Sequence, residues 1–185
     1  MQDAPGSSWR YRGTAVKLTV VGAQRSTDDR VLASPMSDLP VDVLLVEDNF
    51  YDIDLTTHAL TDAILPERIK AVHDGAEALD FIFCEGEYAN RDPRQQPKLI
   101  LLDLQLPKVD GLEVLRRIRA DPQTEDIPVV IFTHSREDRN IIDGYKLGAN
   151  SFLVKRHDFD EFTKAIQAIG IYWLVMNRPP LKGAA

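Results

Sequence analysis

The sequence has little cysteine and no long hydrophobic run, and each shortage excludes a class of protein. Cys84 is the one cysteine among 185 residues, so an intrachain disulfide is excluded and we interpret the thiol as a small buried side chain. No apolar run approaches the roughly 20 residues that a helix needs to cross a bilayer. The first residues lack the basic and then apolar pattern of a secretory signal. We therefore expect a cytoplasmic protein that does not bind membranes.

Positive charge is also in short supply. The 22 Lys and Arg residues are outnumbered by 29 Asp and Glu residues, which gives a formal net charge of -7. General nucleic-acid binding needs a basic face for the phosphates, so we expect no nucleic-acid partner. The arginines of LRRIRAD, namely Arg116, Arg117 and Arg119, are interpreted as a solvated helix face.

The first 38 residues differ in composition from the rest of the chain. They are rich in Ser, Gly, Arg and Asp and show no sustained apolar period, so we expect residues 1–38 to be a disordered or non-native extension. Residues 39–177 carry a regular pattern and are predicted to form one domain with a sizeable core. Residues 178–185 are predicted to be a flexible tail.

From residue 41 onward, apolar runs of strand length alternate with segments of helical period. This alternation predicts an α/β fold, in which helices cover both faces of a parallel sheet. The runs VDVLLV, LILL and VVIF are nearly all apolar, as expected for strands that are covered on both sides. The predicted strands are 41–46, 68–74, 98–104, 127–133 and 151–155, and the predicted helices are 50–64, 75–87, 111–121, 137–149 and 158–176.

Charged and polar side chains stand where the apolar runs end. They are Glu47 and Asp48 after the first run, Asp103 after the third, Thr133 at the end of the fourth and Lys155 at the end of the fifth. Because ligands collect at the carboxyl ends of parallel strands, we expect these side chains to converge. Clustered carboxylates repel one another unless a cation joins them, and their hard oxygens suit a partly hydrated Mg²⁺. The pattern indicates phosphoryl transfer, with a carboxylate as nucleophile or the metal as clamp.

The segments LLVEDN, LLDLQLPKVDG, VVIFT and FLVK, in this order, resemble the receiver domain of two-component response regulators. The resemblance extends over about residues 41–177. It implies a flavodoxin-like, doubly wound fold with strand order 2-1-3-4-5. It also implies a signalling protein rather than an enzyme, which receives a phosphoryl group from a sensor histidine kinase.

The resemblance implies which residues bind the metal and accept the phosphoryl group. Asp103 matches the aspartate that becomes phosphorylated. Glu47 and Asp48 match the acidic pair of the Mg²⁺ site, Asp48 as a direct ligand and Glu47 through water. Asp103 itself and the backbone carbonyl of Gln105 complete the implied set of protein ligands.

The resemblance also implies which residues respond to phosphorylation. Lys155 matches the lysine that pairs with the phosphoryl oxygens, and Thr133 matches the hydroxyl that moves toward them. Phe152 matches the aromatic side chain whose rotamer follows the threonine. Pro107 and Gly111 match the turn beside the acceptor, where glycine serves a backbone position that is closed to other residues.

The loop YANRDPRQQP and the ending IQAIGIYWLVMNRPP resemble those of stand-alone receivers that partner phytochrome-type histidine kinases and form dimers. The last helix also carries more apolar residues than one sheet face covers, which indicates a partner surface. We expect a homodimer through this helix and the fifth predicted strand, and folding of the helix over its own domain is the alternative. The predicted interface residues are Phe162, Ile169, Tyr172 and Trp173.

Three functions fit the pattern. The first is a single-domain response regulator that signals through protein contacts or phosphorelay. The second is a receiver-like adaptor that is not phosphorylated. The third is a Mg²⁺-dependent phosphatase, a class that carries an acid two residues after its nucleophile, where this chain has Gln105. His134, beside Thr133, either hinders the access of water to the phosphoryl group or points to solvent.

Overall fold

The structure is a computed structural model that describes residues 40–134, 137–155 and 158–178. The extension predicted over residues 1–38 lies outside the described residues, as does the predicted tail from residue 179 onward. Within the described ranges, strands and helices alternate in the predicted order. No helix among these residues is long and apolar enough to cross a membrane.

Five short strands form one parallel sheet. They are β1 (Val43–Val46), β2 (Ile69–Val72), β3 (Leu99–Leu102), β4 (Val129–Thr133) and β5 (Ser151–Val154). Their order is β2-β1-β3-β4-β5, with every neighbouring pair parallel. This order confirms the predicted flavodoxin-like sheet, whose order reverses beside β1 and thereby opens a crevice at the carboxyl ends of the strands.

Five α-helices follow the strands, and most begin at a side-chain cap. They are α1 (Phe50–Leu60), α2 (Gly75–Phe83), α3 (Gly111–Ala120), α4 (Asp138–Lys146) and α5 (Phe159–Gly170). The side chains of Asn49, Asp74, Asp110 and Asp158 accept hydrogen bonds from the first turns of α1, α2, α3 and α5. The helix predicted to run to residue 87 ends at Phe83, because Cys84 has a left-handed φ of 57°. The Cys84 side chain is half-buried rather than enclosed.

The last helix is not continuous over 158–176 as predicted. The α-helix ends at Gly170, and Ile171–Met176 continues as a π-helix. Gly170 lies against α1, where an added Cβ would approach Leu60 Cδ2 to 2.9 Å. Glycine at this position therefore allows α5 to pack closely on α1.

Alternate residues of each central strand enter two separate hydrophobic cores. Leu44 and Val46 contact the core beneath α2 and α3, whereas Val43 and Leu45 contact the core beneath α1 and α5. Phe162 of α5 belongs to the second core, since its ring lies 5.5 Å from that of Phe132 and it is only 5% exposed. The prediction that Phe162 belongs to a dimer interface is therefore corrected, because its side chain is buried in the core of its own domain.

Candidate functional site

Backbone hydrogen bonds extend the sheet by one residue and thereby fix the site residues at its edge. The amide of Glu47 donates to Val72 O at 3.0 Å, and the amide of Asp103 donates to Val46 O at 3.0 Å. The amide of Lys155 donates to Thr133 O at 2.8 Å. Each of these residues directly follows a strand or ends one, so the ladder itself sets where their side chains begin.

Lys155 is the centre of the site. Its Nζ donates to Asp103 Oδ2 at 2.7 Å, to Asp52 Oδ2 at 3.0 Å and to the carboxylate of Glu47. All four residues are buried, and Lys155 is 2% exposed. An ammonium group has three donors, so three carboxylate acceptors satisfy it, as a buried charge requires. The convergence predicted for Glu47, Asp103 and Lys155 is therefore present in the structure.

Burial and mutual charge determine the ionisation of this cluster. Burial raises the pKa of Glu47 to about 7, an effect that Lys155 opposes and Asp103 reinforces. Burial alone lowers the pKa of Lys155, but the charges of Asp103 and Glu47 outweigh burial, and the net shift is upward. Lys155 therefore remains an ammonium at neutral pH. Its single charge neutralises only one of the three carboxylates that it contacts.

The predicted metal ligands differ in burial. Glu47 and Asp103 are buried beside Lys155, whereas Asp48 and Gln105 are exposed. In the ranges that the structure describes, no three acidic, histidine or cysteine side chains are arranged to hold a metal ion among themselves. Mg²⁺ usually takes only one or two carboxylates and retains water, so it needs no such group of three. The oxygen-rich donor set fits a hard, hydrated divalent ion.

The turn after Asp103 is held by a close backbone approach and by an ion pair. A Cβ on Gly111 would lie 2.2 Å from Asp103 O, so glycine is needed there for space. The positive φ in this turn, 63°, is that of Lys108 and not of Gly111. Lys108 Nζ lies 2.6 Å from Asp74 Oδ2 and so ties the turn to the start of α2. The predicted need for glycine is thus steric rather than conformational.

Thr133 and Phe152 lie on adjacent strands, close to the acidic cluster. Thr133 is fully buried at the end of β4 and pairs in register with Val154, the residue before Lys155. Phe152 pairs with Ile131 and is partly buried against the core beneath α2 and α3. Both residues therefore lie within two residues of the carboxyl end of their strand, and their coupling stays a prediction.

Asp52 is the site residue that the sequence interpretation missed. The Asn49 side chain caps α1 by accepting hydrogen bonds from Tyr51 N at 2.9 Å and from Asp52 N at 3.4 Å. This cap places Asp52 in the first turn, where an acid has an ordinary role in stabilising a helix. A further contact joins Asp52 Oδ2 to His134 Nε2 at 3.2 Å, and the His134 side chain is 48% exposed. His134 thus faces solvent and the site at once.

The predicted interface residues other than Phe162 lie at the end of α5. Tyr172 is 51% exposed, whereas Ile169 and Trp173 are partly buried against the core beneath α1 and α5. The Tyr172 and Trp173 rings meet edge to face, with 5.0 Å between their centroids. They border a shallow depression lined by Asn150, Ser151, Ala168, Ile169, Tyr172 and Trp173.

Comparison with protein families identifies what this geometry resembles. A family model described as the response regulator receiver domain matches residues 43–167. The response regulator Rcp1 of Synechocystis sp. is 39% identical over 141 residues, which cover 76% of this chain and 94% of Rcp1. The match therefore extends over almost the whole length of Rcp1.

Solved structures give the same result. The phosphorylated cyanobacterial phytochrome response regulator RcpA has a TM-score of 0.70 and 39% identity, over 75% of this chain and 97% of RcpA. The Mn²⁺-bound form of Rcp1 has a TM-score of 0.69 and 37% identity, over 75% of this chain and 98% of that structure.

Proposed function

The chain belongs to the response regulator receiver family, and on that basis we propose that it accepts a phosphoryl group on Asp103 from a sensor histidine kinase. The observation that carries this assignment is the buried ion pair of 2.7 Å between Asp103 Oδ2 and Lys155 Nζ at the carboxyl edge of the sheet. A carboxylate buried in this way has a fixed orientation and a cation beside it. Both serve an oxygen that attacks an anionic phosphoryl group.

In the proposed reaction, a carboxylate oxygen of Asp103 forms a bond to phosphorus while the bond from phosphorus to the kinase histidine breaks. The histidine nitrogen leaves with the bonding electron pair. Lys155 keeps its proton and neutralises the oxygens of the transferred group. Gly111 leaves room for the turn to hold Asp103 in place, since any side chain at position 111 would collide with the Asp103 backbone.

We assign a divalent metal, Mg²⁺, to the oxygens of Glu47, Asp48, Asp103 and the Gln105 carbonyl. When bound, the ion supplies positive charge between the carboxylates and the incoming phosphoryl group. The Mn²⁺-bound form of Rcp1 supports a divalent ion in a relative of similar fold. Glu47 and Asp103 are the buried members of this set, and Asp48 faces the solvent from which a hydrated ion arrives.

Phosphorylation then acts as a switch. Phosphorylation replaces the single negative charge of the Asp103 carboxylate with the about 1.5 to 2 negative charges of a phosphoryl group, beside Lys155 and Thr133. We propose that Thr133 donates a hydrogen bond to it and that Phe152 repacks in response, so that the surface presented to a partner changes. The signal is passed on through protein contacts or by phosphorelay.

For the partners, we propose a phytochrome-type histidine kinase and a second copy of this chain. The kinase type rests on the similarity to RcpA, which is described as a cyanobacterial phytochrome response regulator. The interface between copies is narrowed to Ile169, Tyr172 and Trp173 with the neighbouring π-helix, where exposed apolar side chains are concentrated. Symmetric dimers are the commonest closed assembly, which favours this arrangement.

Incubation with acetyl phosphate tests the proposed function. With Mg²⁺ present, intact mass should show one phosphoryl adduct, and removal of Mg²⁺ by a chelator should abolish it. Asp103→Asn should form no adduct, whereas Asp54→Asn, an exposed acid on α1, should react like the parent. Absence of an adduct on the parent, with metal binding shown separately, would favour the adaptor instead.

A further inference from the structure

Asp52, in the first turn of α1, contacts both Lys155 and His134. Its side chain is 11% exposed, and one oxygen, Oδ2, accepts from Lys155 Nζ at 3.0 Å and from His134 Nε2 at 3.2 Å. Because a carboxylate only accepts, the histidine nitrogen is the donor in this contact. Asp52 thus joins α1 both to Lys155 and to His134, the residue that follows Thr133.

We propose that Asp52 is a positioning residue that retains Lys155 in the unphosphorylated protein and competes with the phosphoryl group for it. The proposal rests on the function assigned above. Lys155 has three donors, and each is already engaged by a carboxylate. A phosphoryl oxygen on Asp103 can therefore gain Lys155 only if one of these bonds is given up.

The bond from Lys155 to Asp52 is the one that can be exchanged for a bond to the phosphoryl group. The bond to Asp103 joins Lys155 to the reacting group itself, and Glu47 is the most deeply buried of the three acids, at 1% exposed. Asp52 has the most exposed side chain of the three, at 11%, and makes the longest bond to Nζ. It also has a second donor, His134, that continues to satisfy its oxygen after the lysine leaves.

The contact with His134 weakens the hydrogen bond between Asp52 and Lys155. Both donors share the single oxygen Oδ2, so each reduces the charge available to the other. Removal of the His134 ring should therefore strengthen the bond from Lys155 to Asp52, and removal of the Asp52 charge should release Lys155 to the phosphoryl group. The two substitutions are expected to have opposite effects, which damage to the fold would not produce.

The test is the rate of adduct formation as a function of acetyl phosphate concentration. Asp52→Asn should lower the half-saturating concentration about fivefold, the scale expected when a hydrogen bond to a charged group is partly replaced. The maximal rate should change little. The matched control is Asp54→Asn, which removes an exposed carboxylate from the same helix.

His134→Ala provides the second measurement. It should raise the half-saturating concentration, and it should have no effect when added to Asp52→Asn, because its influence passes through Asp52. The His134 side chain is half exposed, so this variant decides the question even if Asp52→Asn fails to fold.

The possible failures are distinguishable. If the parent protein takes up no phosphate, the proposed function itself is wrong. If the parent is phosphorylated but Asp52→Asn behaves like Asp54→Asn, the positioning role is wrong. A higher half-saturating concentration for both Asp52→Asn and His134→Ala would likewise overturn it, since this would indicate that Asp52 assists the lysine.

Discussion

Two cationic side chains lie at opposite ends of the strands, Lys155 at the carboxyl ends and Arg119 at the amino ends, and their hydrogen-bond partners differ. At the carboxyl edge, Lys155 Nζ contacts the carboxylates of Glu47, Asp52 and Asp103. At the amino edge, Arg119 donates to neutral oxygens instead. They are Gly148 O at 3.0 Å, Ile127 O at 2.9 Å and Asn150 Oδ1 at 2.9 Å.

We interpret the difference as one between a cation with charged partners and a cation with neutral ones. Burial lowers the pKa of Arg119, and the nearby acids only partly offset this shift, whereas the net shift in the pKa of Lys155 is upward. The oxygens that hold Arg119 between the ends of α3, α4 and β4 are neutral, so no carboxylate there competes with another anion for it. Carboxylates can give up Lys155 to a phosphoryl group. Both cations therefore stabilise the fold, and the proposed function adds to Lys155 alone a role toward the phosphoryl group.

Lys155→Met should have the largest effect on stability. It removes the cation from among buried carboxylates, which we expect to lower the free energy of unfolding by about 3–5 kcal/mol at pH 8. The penalty should shrink at pH 5, because Glu47, whose pKa burial raises to about 7, is then protonated. Urea unfolding at the two pH values, without metal, measures this change; an equal penalty at both would contradict a charge-based role.

Arg119→Met should have a smaller effect that does not depend on pH between 5 and 8. Loss of its hydrogen bonds leaves carbonyl oxygens unsatisfied and should lower the free energy of unfolding by about 2–3 kcal/mol. Phosphorylation by acetyl phosphate should proceed within about twofold of the parent rate, since the acidic edge is untouched. A selective loss of phosphorylation in a folded variant would break the contrast between the two cations.

Glu47→Gln tests the acidic edge through the pH dependence of the free energy of unfolding. The pKa of Glu47 is raised from 4.5 to about 7 in the folded protein. Folding therefore favours its protonated form, and the resulting stabilisation is complete below pH 4.5 and lost as the pH rises through 7. The metal-free variant should gain about 2 kcal/mol relative to the parent between pH 5 and pH 8. Parallel stability curves for parent and variant would contradict this shift.

Tyr172→Glu should leave both cations and the stability nearly unchanged, within about 0.5 kcal/mol. Its effect should be on assembly, because a charge on the exposed apolar end of α5 opposes burial against a second copy. Light scattering should give the mass of a dimer for the parent and of a monomer for the variant. A monomeric parent would remove the proposed interface.

Much of the acidic edge could be predicted because strand ends converge in any parallel sheet. Glu47, Asp103 and Lys155 were found in this way, and the structure brings them together. Thr133 was found at the same edge. The strand order came from the resemblance to receivers and is confirmed by the pairing of the strands.

Asp52 and Arg119 could not be predicted, and the physical reason is the same for both. Asp52 lies 103 residues from Lys155, and Arg119 lies 29 residues from Gly148. Within its own helix, each side chain has an ordinary explanation, as an acid in a first turn or as one arginine on a solvated face. Only the packing of α1 and α3 on the sheet shows that the two side chains turn inward.

Locating the phosphoryl group tests Asp103 as the phosphoacceptor most directly. After incubation with acetyl phosphate and Mg²⁺, borohydride reduces an acyl phosphate to an alcohol, which converts the modified aspartate to homoserine. Tandem mass spectrometry should find homoserine at position 103. Homoserine at position 48 or 52 instead, or at no position in a protein that carries the adduct, would contradict the assignment of Asp103.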